Sequence, residues 1–590
     1  MSRPHSPRQF VLDEDDHSQS SATESLLTHH YPPEPHSLAD EDKPHASDPT
    51  PPLVITIPSV HAVNLARTHP KPRPSHSRLV VIGLVGLLAF AYFSTQFLAL
   101  FTRFNGDPHV QVILMISDGM GPASETLART YLAHRAANNS VTPLDSILVG
   151  SSRTRSTNSL ITDSAAGATA FSCLEKTFNG AIAVTPAKTP CGTILESAHH
   201  QKFSTGIVTT SRLTHATPAA FYSHVVDRDL ESDIARFLVG TGPQGQTVDL
   251  AFGGGQCFFV PNSTTGSCRN DRDDLLSGLK GVRLVEGMKG LRDWKDEDVD
   301  ERLAKKEAVI GFFANDHMDY EIDRKQTTVL TDEQPSLKEI TVHALKYLKR
   351  KGEKGKGFFL MIEGARIDMA AHNNDPIGHL HDILAYYETV EYVKEWVRHE
   401  NEIEGTPTVM VSVSDHETGG LALGRQLSDV YPEYLWYPEV LENATHSTSF
   451  LGKQVADKYP DTTREWVQKE IYEKGLGIFD VATREIDQLW IARRDAYKAN
   501  RVLADAVSRR AQIGWSTAGH SGVDVNLYAY GHNSTGLNGC IENTQVGEFI
   551  AHTMAIVTLE LNKGSESWFS PKSGHAVNRT QAFKHYEGDF

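Results

Sequence analysis

Beyond about Gln111, continuous apolar runs alternate along the chain with stretches of helical periodicity. Residues 112–116, 358–362 and 409–413 are such runs, and 207–208 is a shorter one. A strand with one wet face alternates apolar and polar residues, whereas these runs do not alternate. They predict strands buried on both faces, as in a largely parallel sheet. The alternation of strand and helix therefore predicts an α/β fold, a three-layer α/β/α sandwich with a large, mainly parallel central sheet. Ligands in such sheets gather beyond the carboxyl ends of the strands. The polar residues Asp118, Glu363 and Asp415-His416 stand at those ends. Residues 460–512 place apolar side chains three and four apart and predict helices, read as scaffold or as part of an insertion near 425–512.

One apolar run is of a different kind. Residues 79–101 carry no charge, and at about 1.5 Å per helical residue they can span a bilayer. A buried core helix rarely stays uncharged for so long, and a signal peptide would begin nearer the N-terminus. Arg67, Lys71, Arg73 and Arg78 precede the run, while Arg103 is the nearest basic residue after it. The excess of positive charge predicts a cytosolic N-terminus and a lumenal body, 102–590, hence a single-pass type II signal anchor. Residues 1–78 are rich in Pro, Ser, His and Asp and are expected to be disordered. Glu24-Ser25-Leu26-Leu27 resembles a dileucine sorting signal only at imperfect spacing, and chance accounts for it.

Composition narrows the picture further. The net charge of −17 over 590 residues argues against a nucleic-acid partner. The five cysteines form no CxxC pair. Cys257 and Cys268 flank a turn-rich segment that a disulfide could staple; Cys173 and Cys191 are a second candidate pair, leaving Cys540. Five Asn-x-Ser/Thr sequons, at Asn138, Asn262, Asn443, Asn533 and Asn578, all follow the apolar run, which fits a glycosylated lumenal body. The C-terminal QAFKHYEGDF lacks the apolar tail of a lipid-anchor signal.

The chemistry is concentrated in a few short segments. Thr162-Asp163-Ser164-Ala165 leads into Ala166-Gly167-Ala168-Thr169-Ala170, a run small enough to bring backbone close to a phosphate or a metal. Asp368 and His372 are four apart and share a face if helical, so both can reach one metal. Asp415 and His416 can converge at a strand-to-turn junction. His520, among the small residues of TAGHSG, is expected in a loop. Each alone has a bland reading, as a surface histidine or a helix-terminal carboxylate. Together they read as a metal-activated serine nucleophile.

Six motifs in order carry a family resemblance. They are Asp118-Gly119-Met120-Gly121, Thr162-Asp163-Ser164-Ala165, His215-Ala216-Thr217-Pro218-Ala219, Glu363-Gly364-Ala365-Arg366-Ile367-Asp368, Ser414-Asp415-His416-Glu417-Thr418-Gly419-Gly420 and His520-Ser521-Gly522. Over roughly residues 110–560 the chain resembles the alkaline phosphatase family, and its fungal vacuolar members most. The resemblance implies zinc- and magnesium-dependent hydrolysis of phosphate monoesters, of small molecules and of macromolecules, through a phosphoserine at Ser164. It implies two zinc ions and one magnesium ion per subunit. Asp118, Asp415 and His416 would hold one zinc, and Asp368, His372 and His520 the other. Asp118, Thr217 and Glu363 would hold magnesium, with His215 beside it. Arg228 would clamp the phosphate, and Asp163 would orient Arg228. A homodimer and a vacuolar membrane location follow by the same resemblance.

The chain departs from parts of the family. His215 stands where bacterial members often have aspartate, and Met369 follows Asp368 where many have histidine or lysine. The third metal site thus lacks one familiar neighbour. A phosphodiesterase or sulfatase of the same superfamily is the alternative enzyme, and Ser164 with an Arg228 clamp favours the monoesterase. A tethered but inactive relative is the non-enzyme alternative, and the complete ligand set argues against it.

Overall fold

The strand that heads the sheet, β1 (Val110–Ile116), is buried at every position, as its unbroken apolar sequence requires. A computed structural model describes residues 109–137, 140–294, 307–430 and 434–559. The strands in chain order are β1, β2 (Leu148–Arg153), β3 (Ser204–Arg212), β4 (Leu250–Gly254), β5 (Val282–Glu286), β6 (Ala308–Phe312), β7 (Gly357–Glu363) and β8 (Thr408–Val413). Then come β9 (Glu417–Thr418), β10 (Leu421–Leu423), β11 (Ile513–Trp515), β12 (His520–Ser521), β13 (Val525–Gly531) and β14 (Gly539–Glu542). Ten of these form one sheet in the order β14-β2-β13-β8-β1-β7-β3-β4-β6-β5. Neighbours pair in parallel except β13, which runs antiparallel to both β8 and β2. The expected mainly parallel sheet is therefore what forms.

Side chains alternate across the sheet with the strand period of two. Ile113 and Met115 enter one core with helices Pro122–Ala136, Leu337–Gly352 and Pro376–His399. Val112, Leu114 and Ile116 enter the other with helices Ser164–Cys173, Ile194–His200 and Asn543–Thr553. These are the helical layers of the sandwich. The helices expected near 425–512 include Thr448–Asp457, Thr483–Ala492 and Ala496–Ala511, and their Leu451, Val455, Leu489, Leu503 and Val507 join the first core. Both candidate cysteine pairs are disulfides, Cys173–Cys191 and Cys257–Cys268, and Cys540 is unpaired and exposed.

The tail 1–78, the run 79–101, Asn138, Asn578 and the C-terminal segment lie outside the described residues. Among the described residues no helix is long and apolar enough to cross a membrane. The sequons at Asn262, Asn443 and Asn533 are exposed.

Candidate active site

The order of the four central strands β8-β1-β7-β3 decides where the polar residues meet. Asp415-His416 follow β8, Asp118 follows β1, Glu363 ends β7 with Asp368 just beyond, and His215 and Thr217 follow β3. Parallel pairing puts all these ends on one edge of the sheet. The close approach needs glycine at Gly119, whose φ is +74° and where a Cβ would stand 2.7 Å from the Asp368 Cα.

Ser164 is the first residue of helix Ser164–Cys173, and Asp163 caps it by accepting from the Ala166 N–H at 2.9 Å. Small residues let the helix sit against the metal-ligand segment, since a Cβ on Gly167 would lie 3.0 Å from the Asp415 Cβ. Ser164 Oγ lies 3.1 Å from His416 Nε2. The other Asp163 oxygen accepts from Gly180 N at 2.9 Å and from Arg228 Nη1 at 3.3 Å. Arg228 Nη2 is 3.1 Å from His215 Nε2. Asp163 thus links Arg228 to the helix start that carries Ser164.

Asp368 and His372 share helix Arg366–His372, with Oδ2 and Nε2 3.3 Å apart. His520 Nε2 is 3.1 Å from His372 Nε2 and 3.7 Å from Asp368 Oδ1. His520 corrects the expectation of a loop: β12 pairs antiparallel with β9, setting His520 opposite Thr418, and this short ribbon carries His520 to the centre. His416 Nε2 is 3.2 Å from Asp415 Oδ2 and 3.5 Å from Asp118 Oδ1. Three clusters result, Asp368–His372–His520, Asp118–Asp368–His416 and Asp118–His215–Glu363. His215, expected beside the magnesium ligands, falls in the third cluster, where the turn after β3 brings a ring nitrogen near Asp118 and Glu363.

The three histidines are oriented alike. His372 Nδ1 faces the Ala518 carbonyl at 2.6 Å, and His520 Nδ1 faces the Thr162 carbonyl at 2.7 Å. A carbonyl only accepts, so each Nδ1 carries a proton and each Nε2 is the nitrogen turned to the centre, while, against burial, Asp368 raises the His372 ring above its usual value. Thr418 Oγ1 donates to Asp368 Oδ1 at 2.5 Å and is therefore left to accept from His416 Nδ1 at 3.2 Å.

Electrostatics follow from burial. Burial pushes the Asp118 carboxyl well above the usual carboxylate range, and Asp415, Asp368 and Glu363 add to the shift. Asp415 is pushed up to about 7 by burial and by Asp368. Glu363 is also pushed up to about 7 by burial, against the hydrogen bonds it accepts from Thr209 and Ser211. Burial opposes ionisation of Asp368, but His372, His520 and His416 hold it well below the usual range. Burial brings His520 down to about 4, and burial with the neighbouring His520 holds His416 well below its usual value. Crowding four buried carboxyls is unfavourable without compensating cations. Both Asp118 oxygens, Asp415 Oδ2, Glu363 Oε1 and Thr217 Oγ1 are buried and accept or donate no hydrogen bond within the protein. These oxygens and the inward lone pairs form a donor set that fits divalent cations.

Several contributors carried no isolated signal in the sequence. Thr418 lies inside the His416-to-Gly420 motif, and only its contact with Asp368, 50 residues away, shows its role. The carbonyls of Thr162 and Ala518 could not be read from residue type at all.

Three comparisons bear on this site. A family model described as "Alkaline phosphatase" matches residues 110–556. An alkaline phosphatase of Schizosaccharomyces pombe is 44% identical over 442 residues, covering 74% of this chain and 80% of the relative. A repressible alkaline phosphatase of Saccharomyces cerevisiae is 40% identical over 510 residues, covering 81% of this chain and 87% of the relative. The solved structure of Thermus thermophilus alkaline phosphatase matches with a TM-score of 0.64 at 28% identity, covering 76% of this chain and 92% of the other.

Proposed function

The chain belongs to the alkaline phosphatase family and hydrolyses phosphate monoesters, and we propose that it does so with two zinc ions and one magnesium ion, through a phosphoserine at Ser164 and over a broad substrate range. The observation that carries this reading is the convergence of buried, hydrogen-bond-free carboxyl oxygens with three inward Nε2 lone pairs beside one serine hydroxyl.

Asp368, His372 and His520 would hold one zinc, and Asp118, Asp415 and His416 the other. Asp118, Glu363 and Thr217 would hold magnesium, with His215 as a neighbour close enough to join them. Bound there, the ions would polarise the phosphoryl group and stabilise the entering and leaving oxygens of an in-line displacement. Ser164 Oγ attacks phosphorus, forming the Oγ–P bond as the ester P–O bond breaks and the alcohol departs with a proton. Water then breaks the Oγ–P bond and releases inorganic phosphate. Arg228 supplies the planar two-pronged donor that matches two phosphate oxygens. Asp163 fixes that guanidinium while its other oxygen caps the helix bearing Ser164, so one carboxylate registers clamp and nucleophile together. Enzyme quenched in acid during turnover should carry phosphate on the Ser164 peptide. Label found only elsewhere would remove the phosphoserine route.

The same reading extends to location. A 79–101 anchor with a cytosolic N-terminus would leave the catalytic body in a lumen. The preceding basic cluster supports this, as do the exposed sequons Asn262, Asn443 and Asn533. The vacuolar membrane and the homodimer remain proposals that rest on the family resemblance of the motifs. Protease added to sealed vesicles should trim only the N-terminal tail, and digestion of the body would reverse the topology.

A further inference from the structure

Three consecutive residues directly behind His372 are each bonded to the helical insertion. Asn373 Oδ1 accepts from Asn500 Nδ2 at 2.9 Å. Asn374 Oδ1 accepts from Arg501 Nη1 at 2.5 Å. Asp375 Oδ2 accepts from the Thr448 N–H at 2.8 Å. Thr448 opens helix Thr448–Asp457, and Asn500 and Arg501 lie on helix Ala496–Ala511. The insertion is thus fastened to the turn that ends the ligand helix.

Asn374 is the centre of this arrangement. It is buried in the left-handed region, at φ +51°. Its Nδ2 donates to the Ala371 carbonyl at 3.0 Å and to the Thr517 carbonyl at 2.9 Å. Ala371 precedes His372. Thr517 precedes Ala518, whose carbonyl fixes the His372 ring, and lies three residues from His520. One amide therefore joins the segment carrying His372 to the segment carrying His520. The backbone–backbone bonds of residues 516–519 run to Gly419 and Gly420, in the turn after β9, so the other link to the His372 helix is the bond from His372 Nδ1 to the Ala518 carbonyl.

We propose that the insertion acts through Asn374 as a positioning device for the Asp368–His372–His520 cluster, an inference that rests on the metal reading above. Two imidazoles on separate segments bind one ion well only when their Nε2 atoms are held at a fixed separation before it arrives. Here that separation, 3.1 Å, is set by backbone on both sides. Arg501 fixes the Asn374 amide with its oxygen toward the insertion and its nitrogen toward the two carbonyls. Helices packed into the core thereby hold the turn.

Zinc affinity of the full-length protein, measured by competition with a chromophoric chelator, tests this. Asn374→Gly keeps the left-handed turn and removes only the amide. It should weaken zinc at this cluster about 10–100-fold, the usual cost of losing a group that orients a ligand. Arg501→Met should weaken it less. In both variants turnover should return at excess zinc, and the visible spectrum of the cobalt-substituted enzyme should shift. Arg493→Ala serves as a control: its guanidinium stacks on Trp490 at 3.8 Å elsewhere in the insertion, and zinc affinity should stay at the wild-type value. Wild-type affinity in Asn374→Gly, or an equal loss in Arg493→Ala, overturns the inference. A wild-type protein that takes up no zinc overturns the metal reading and this inference with it, an outcome distinct from the other two.

Discussion

Ser164 Oγ and His416 Nε2 stand 3.1 Å apart although 252 positions separate them in the chain. The serine comes from a helix start on one side of the sheet, and the histidine from the turn after β8. The hydroxyl proposed to attack is thus in contact with a proposed ligand of the cation that would activate it, while supplying no carboxylate or imidazole itself. Ser164→Ala should therefore lower kcat by several orders of magnitude and leave zinc content unchanged. Metal analysis beside a chromogenic phosphomonoester assay checks both halves, and unchanged turnover would remove Ser164 as the nucleophile.

His372→Ala and His416→Ala should lose zinc and activity together, since each deletes an inward lone pair of a cluster. His381→Ala should leave both intact. His381 lines a separate cleft with Tyr387 and Lys325 and packs edge-on to Tyr131, away from the clusters. A zinc-replete, fully active His416→Ala enzyme would contradict the assignment.

Arg228→Ala should reduce kcat/KM about 10²–10⁴-fold and weaken inhibition by inorganic phosphate, because two hydrogen bonds to a charged group are worth roughly 1.5–3 kcal/mol each. Arg228→Lys should recover only part of it, lacking the planar fork. Equal phosphate affinity in the alanine variant would place the clamp elsewhere.

Chelation should abolish activity, and zinc with magnesium should restore it. The pH dependence has a defined sign. Asp415 and Glu363 are raised to about 7, and burial pushes Asp118 well above the usual carboxylate range, so each holds a proton below its raised value. Protons compete with metal on these oxygens, so affinity falls as pH drops below about 7 and rises toward alkaline pH. His520, brought down to about 4, stays neutral and adds no competition in that window. Zinc affinity measured from pH 5 to pH 9 should climb through neutrality, and a flat profile would contradict the role of these carboxyls.

The sequence by itself determined the sheet and the inventory of the site. Runs such as 112–116 and 409–413 cannot alternate faces and must be covered on both sides, and their ends locate Asp118 and Asp415-His416. The four-residue spacing of Asp368 and His372 needs only a helix to bring them together. Only the tertiary structure decided the sharing of those residues among clusters. Asp368 faces both His372 and His416, and His215 stands with Asp118 and Glu363, because strand order places β8, β1, β7 and β3 side by side. The β9–β12 ribbon, the Thr418 link to Asp368 and the Asn374 link to Arg501 were equally hidden. They join residues 50 to more than 100 positions apart, and two are made by side chains whose type is ordinary in turns and helices. Local periodicity reports which face a residue occupies, whereas the partner across that face is fixed by chain topology.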